Sequence, residues 1–192
     1  MTESDPPAAA ALVVIDVQAG FDDPAWGAPN NPDALGNIAR LVRGWQDAGQ
    51  PIVLVRHDSV APGSPLAPGT PGNAFYPLLD GVEPQLLVAK TVNSAFHGDV
   101  DLHAWLLANA IDSVVLCGIQ TNMCVETTAR VGGNLGHRVS VALDATRTFD
   151  LAGPDGVTLS ADELTRATAT NLYGGGFARI ITTEEVLGEL SG

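Results

Sequence analysis

At 192 residues, the chain is long enough to bury one core of ordinary domain size and too short for two. Hydrophobic residues make up 45 % and charged residues 16 %, which excludes intrinsic disorder. Lys and Arg number 9 against 22 Asp and Glu, a formal charge of −13 that argues against nucleic acid or an anionic membrane as partner, since both require a basic footprint.

Residues 1–7 read as a short polar lead, not a signal peptide, and no apolar run approaches the length of a membrane span. Then short apolar runs alternate with amphipathic stretches. Strands are predicted at 10–17 (AALVVIDV), 51–56 (PIVLVR), 85–90 (QLLVAK), 112–118 (DSVVLCG), 138–144 (RVSVALD) and 178–182 (ARIIT). Their near-continuous hydrophobicity suits parallel strands buried on both faces. Helices are predicted at 33–49, 100–110, 122–135, 161–173 and 184–190. The first carries Leu35, Ile38, Leu41, Val42 and Trp45 at helical spacing and stops at Gly49. Ser160, followed three residues later by Glu163, marks a capping box. Two stretches interrupt the alternation. Residues 58–84 are rich in Pro and Gly and too long for an ordinary connection, so a functional loop or lid is expected there; 146–157 is expected to be a second loop.

The whole chain, 1–192, therefore reads as one α/β domain: an open, twisted, six-stranded parallel sheet with helices on both faces, a Rossmann-like three-layer arrangement. Ligands of such sheets bind at the carboxyl ends of the strands, where the winding direction reverses. With cysteine present only as Cys117 and Cys124, no disulfide framework is available, and a cytoplasmic location is expected.

Three reactive residues fall at predicted strand ends. Asp16 lies near the end of the first strand and Lys90 at the end of the third. Cys124 lies just beyond the fourth, in the first turn of a helix. Lys90 is the single lysine; every other basic side chain is Arg. A cysteine at a helix N-terminus has its thiolate favoured by the dipole and by unpaired N–H groups, and a nearby lysine lowers its pKa further. Asp16 is placed to take the thiol proton and return it to a leaving amine. Taken singly, Asp16 is equally a strand-end carboxylate bonded to backbone, and Cys124 a small buried apolar residue. Cys117, inside VVLCG, is assigned to the core.

The segments VVIDVQAGF around Asp16, KTVNSAF from Lys90 and GIQTNMCVETTAR around Cys124 together resemble the isochorismatase-like cysteine hydrolases, the superfamily of nicotinamidases, N-carbamoylsarcosine amidases and streptothricin hydrolase. The likeness covers nearly the whole chain and implies a six-stranded parallel sheet with Asp16, Lys90 and Cys124 as catalytic triad. It also implies a cis peptide between Ile119 and Gln120 and an oxyanion hole formed by the N–H groups of Gln120 and Cys124. One departure bears on metal. Nicotinamidases of the family carry an Asp-x-His-x-x-x-His pattern after the second strand, whereas this chain reads Arg56-His57-Asp58-Ser59-Val60-Ala61-Pro62. No metal and no other cofactor is expected, nicotinamide is disfavoured as substrate, and His57 is read as a loop-ordering hydrogen-bonder. Asp99, where the family often has Thr, is read as a helix N-cap.

Loop aromatics are expected to wall the pocket: Phe21 and Trp26 after the first strand, Phe75 in the Pro/Gly-rich loop, Phe96 with His97 after Lys90, and Phe149 after the fifth strand. Each is as well explained as a packing plug under a loop. Asn93 and Asn122 are candidates for a polar substrate group. The expected activity is hydrolysis of a C–N bond in a small amide, lactam or ureido compound through a thioester, with streptothricin-type lactam hydrolysis one candidate. Rival readings are vinyl-ether hydrolysis of the isochorismatase type, which needs no cysteine, non-catalytic small-molecule binding, and a thiol redox pair of Cys117 with Cys124. A homo-oligomer, dimer or tetramer, is also expected.

Overall fold

A computed structural model describes residues 10–191; the polar lead 1–7 lies outside the described residues. Six parallel strands form one sheet: β1 (Ala10–Ile15), β2 (Ile52–His57), β3 (Leu86–Lys90), β4 (Ser113–Ile119), β5 (Arg138–Arg147) and β8 (Arg179–Ile181). Between β5 and β8 in sequence, β6 (Leu151–Ala152) and β7 (Thr158–Leu159) pair antiparallel as a separate hairpin. The sheet order is β3-β2-β1-β4-β5-β8. Winding runs outward in both directions from β1 and β4, so the switch point lies between their carboxyl ends.

The apolar runs form strands because each faces two cores. Leu12, Val14, Cys117 and Ile119 join a cluster with Ile38, Leu41 and Trp45 of α1 (Ala34–Asp47) and Val186 of α5 (Thr183–Ser191). Ala11, Val13, Ile15 and Leu116 join the other, with Leu102 and Leu106 of α2 (Leu102–Ala108), Ala129 of α3 (Glu126–Asn134) and Leu172 of α4 (Ala161–Gly174). Alternate residues along a strand point to opposite faces, which accounts for the division. The Ser160–Glu163 capping box forms at the start of α4.

Several expectations are corrected. Strand β1 stops at Ile15, two residues short, because Asp16 adopts a left-handed conformation (φ 52°). Strand β5 passes the predicted end at Asp144: its pairing with β4 breaks after Leu116↔Val141 and resumes at Gly118↔Thr146 and Ile119↔Arg147. The expected loop 146–157 thus contributes its first two residues to the sheet and continues into the β6–β7 hairpin. Helix α2 is capped by Asp101, whose carboxylate accepts from the Ala104 N–H at 2.9 Å; Asp99 accepts from the Ala89 N–H at 2.8 Å and is not the cap. The helix expected at 122–135 begins as one π-helical turn, Thr121–Val125, before α3.

The 58–84 segment contains two short 3-10 turns, Pro71–Asn73 and Pro77–Leu79. Buried amides tie it down. Asn73 donates to the carbonyl of Leu66 (2.9 Å) and to the Asp58 carboxylate (3.0 Å), while Gln18 donates to the Asn73 carbonyl (3.0 Å).

Candidate active site

The site grows from the ends of three strands at the switch point. The turn at Asp16 ends β1, and its carboxylate is fully buried. Lys90, last residue of β3, shares a face with the buried Val88 and is 2 % exposed. Strand β4 approaches β1 so closely here that a Cβ on Gly118 (φ 127°) would lie 2.0 Å from the Ile15 carbonyl oxygen, so only glycine fits. The Ile119–Gln120 peptide that follows is cis, and the π-helical turn then carries Cys124.

Lys90 Nζ stands at the centre. It donates to Asp16 Oδ2 at 2.6 Å and to Cys124 Sγ at 3.4 Å, and lies 3.1 Å from His57 Nδ1. The other carboxylate oxygen, Asp16 Oδ1, is buried without a partner among the described residues. A buried carboxylate oxygen left open is an acceptor awaiting a proton or a ligand. Asn93, exposed to solvent, brings its Oδ1 to 3.9 Å from Cys124 Sγ.

Burial governs protonation. It pushes the Cys124 thiol up to about 12, with the Asp16 carboxylate adding to the effect and Lys90 opposing it. This corrects the expectation of a thiolate favoured by helix terminus and lysine: the thiol keeps its proton at neutral pH because it is taken out of water beside an anion. Burial likewise raises the Asp16 carboxyl, and Lys90 pulls it back toward the ionised form. His57 is pushed down to about 4, first by burial and then by Lys90, so its imidazole is neutral.

Asp16, His57 and Cys124 offer three potential metal-ligand atoms within 4.8 Å of one another. The same three side chains already surround the Lys90 ammonium. A divalent ion would have to displace a buried cation or sit against it, so the donor set does not fit a metal. Cys117 belongs to the core on the α1 face and Cys124 to the core on the α3 face, with the sheet between them; burial raises the Cys117 thiol as well, and both are free. A redox pair across the sheet is thereby disfavoured.

Of the loop residues singled out from sequence, Phe21, Trp26 and Phe149 come together, with ring centroids 5.3–6.1 Å apart, and Phe75 packs against the same core. An isolated bridge between Gln18 and Phe75 brings the long loop onto the segment after β1. Phe96 does not join them. Its ring stacks on His137 at 5.7 Å and fills the space left by Gly132, two turns along α3 from Cys124. His97 is exposed beside it. Asn122 accepts from the Thr148 hydroxyl at 2.5 Å, which ties the π-helical turn to the end of β5. The Gln120 N–H has no acceptor among the described residues.

Two side-chain placements were not foreseen from the sequence. One is His57, whose ring meets Lys90 while its backbone orders the loop. The other is Arg147, only 7 % exposed at the end of β5, with Nη2 donating to Tyr76 Oη and Nε buried without a partner among the described residues. The signal for His57 was positional: it ends β2 as Lys90 ends β3, and parallel register makes them neighbours.

Comparison with known proteins bears on this geometry. The family model for the isochorismatase domain matches residues 10–185. The chain is 33 % identical to the isochorismatase family protein YrdC of Bacillus subtilis, over 93 % of this chain and 95 % of that protein. It is 36 % identical to a streptothricin hydrolase of Streptomyces noursei over 76 % of its own length, and spans about half (52 %) of that protein. A crystal structure of an isochorismatase-family protein from Chromobacterium violaceum superposes with a TM-score of 0.89 at 37 % identity, covering 97 % of this chain and 98 % of that one.

Proposed function

We propose that this chain, which belongs to the isochorismatase family of hydrolases, cleaves a C–N bond in a small amide, lactam or ureido compound with Cys124 as nucleophile. The observation that carries the reading is the open Asp16 Oδ1, buried beside a thiol that holds its proton. Asp16 Oδ1 takes the Sγ proton as sulfur attacks the substrate carbonyl carbon. A thiol with a pKa of about 12 is a poor leaving proton at neutral pH but a strong nucleophile once the proton has gone, so a general base in contact is what this site requires.

Charge moves to the carbonyl oxygen, where the N–H groups of Gln120 and Cys124 receive it. One such donor contributes about 3 kcal/mol to the barrier reduction. The tetrahedral adduct collapses as Asp16 returns the proton to the departing nitrogen, leaving a thioester on Cys124. Water, deprotonated by Asp16, then attacks the thioester, and the proton passes back to sulfur as the carboxylic product leaves. Lys90 favours the ionised Asp16 carboxylate before each of the two steps in which it accepts a proton, and offsets the sulfur charge as it develops.

Streptothricin-type lactam hydrolysis is one substrate class within this reading, supported by the likeness to a streptothricin hydrolase. Vinyl-ether cleavage is the less supported alternative, because it gives Cys124 nothing to do. The test is a panel of amides, lactams and carbamoyl compounds assayed for ammonia or amine release, with Cys124→Ala in parallel. Release by the native protein and none by the variant supports the reading; equal release by both overturns it.

A further inference from the structure

His57 lies at the end of β2 with its Cα in register with that of Lys90, and its half-buried ring turns toward the ammonium. An ammonium has three protons and no lone pair. Lys90 meets three neighbours: Asp16 Oδ2 at 2.6 Å, His57 Nδ1 at 3.1 Å and Cys124 Sγ at 3.4 Å. The Lys90 side chain is fully buried, so a proton without a protein acceptor would have no water to turn to. We propose that His57 is a positioning residue of this site, its Nδ1 lone pair supplying the third acceptor that holds the Lys90 ammonium between Asp16 and Cys124.

The chemistry fixes the tautomer. Nδ1 faces a cation that can only donate, so the ring proton resides on Nε2. The surrounding charges agree: Asp16 from the turn after β1, Lys90 from β3, Cys124 from the π-helical turn, and Asp58 next in sequence, which is engaged by Arg56 at 2.7 Å. The backbone of His57 is held independently of its ring. Gln18 Oε1 accepts from the His57 N–H at 2.7 Å, Gln18 Nε2 donates to its carbonyl at 3.0 Å, and Asn73 Nδ2 donates to the same carbonyl at 3.2 Å. These bonds survive any side-chain replacement, so the ring can be changed without releasing the loop.

The role of His57 in turnover rests on the cysteine hydrolase reading, but its effect on Lys90 is measurable without a substrate. Because the ammonium favours the Cys124 thiolate, the rate of iodoacetamide alkylation at fixed pH reports how well Lys90 is held. His57→Leu keeps bulk but offers no lone pair; His57→Asn places an amide oxygen close to the position of Nδ1. At pH 9, His57→Leu is expected to slow alkylation of Cys124, located by peptide mass, at least threefold, with His57→Asn returning to within twofold of the native rate. In turnover, kcat of His57→Leu falls about tenfold with KM within twofold, since the ring acts through Lys90. Native alkylation in His57→Leu, or equal slowing in a folded His57→Asn, overturns the proposal, as does a raised KM at unchanged kcat. Should Cys124→Ala retain hydrolysis, the hydrolase reading falls while the alkylation result still decides the role of His57.

Discussion

Replacing Lys90 by methionine removes the ammonium while keeping most of the side-chain volume, and the structure sets the size of the result. The pair is wholly buried, with 0 % side-chain exposure on both partners. Among the described residues Asp16 Oδ1 has no hydrogen-bond partner, and Oδ2 would lose its bond from Lys90. Breaking a buried ion pair from one side costs about 3–5 kcal/mol. Protonation caps that cost. Taking a carboxyl from its ordinary value of 3.8 to neutral at pH 7 costs about 1.4 kcal/mol per unit, or roughly 4 kcal/mol. Lys90→Met should therefore lose up to about 4 kcal/mol at pH 7, less the share that burial already costs the native Asp16 carboxylate, and Tm should fall by up to about 10 °C for a chain of this size. At pH 5 the protonation cost is smaller by about 3 kcal/mol, so most of the loss should vanish. The double variant Asp16→Asn with Lys90→Met should be more stable at pH 7 than Lys90→Met alone, because no buried charge is left unpaired. Thermal unfolding of the three proteins at both pH values is the assay. A loss below about 1 kcal/mol at pH 7, or one that does not shrink at pH 5, would refute the buried ion pair as the organising contact of the site.

Alkylation of Cys124 by iodoacetamide should rise about tenfold per pH unit from 7 to 10 without a plateau, as burial beside Asp16 requires; a plateau near neutrality would mark a preformed thiolate. Prolonged chelation should leave turnover unchanged, because the Lys90 ammonium already stands among the three potential ligands; activity lost to chelation and restored by zinc or iron would contradict the site described. The His57 ring, followed by 15N NMR, should stay neutral with its proton on Nε2 and titrate near 4. The sign of the linked stability follows. Unfolded chains bind this proton below about 6.5 and the native state only below about 4, so native stability falls relative to His57→Asn as pH drops through that window. After discount for the half-buried ring, the difference is on the order of 1 kcal/mol.

What the sequence disclosed and what it withheld divide along a physical line. Strands β1, β2 and β4 were legible because parallel strands between two helical layers must be apolar on both faces, and AALVVI, IVLVRH and SVVLCGI announce that directly. The meeting of Asp16, Lys90 and Cys124 was legible from their places at strand ends, and the cis peptide before Gln120 through the resemblance. The break in β5 pairing was not, because the local sequence reads equally as strand ending in a loop; what carries β5 on is Thr146 and Arg147 meeting Gly118 and Ile119 across the sheet. The protonation of Cys124 was misjudged for a related reason: position at a helix start is local, but burial beside Asp16 is a tertiary quantity. Phe96 illustrates the same limit, since the space it fills is opened by Gly132 on another element. His57 lies in a hydrophilic tripeptide, and only the register of β2 on β3 brings it to Lys90.

The central claim is that Cys124 carries the acyl group during turnover. Acid-quenching the reaction with a turned-over amide or lactam, followed by peptide mass analysis, tests it directly. The account predicts a mass increment equal to the substrate's acyl portion on the peptide containing Cys124, absent from Cys117 and from Asp16→Asn treated alike. Full turnover with no adduct on Cys124, retained in Cys124→Ala, would contradict it.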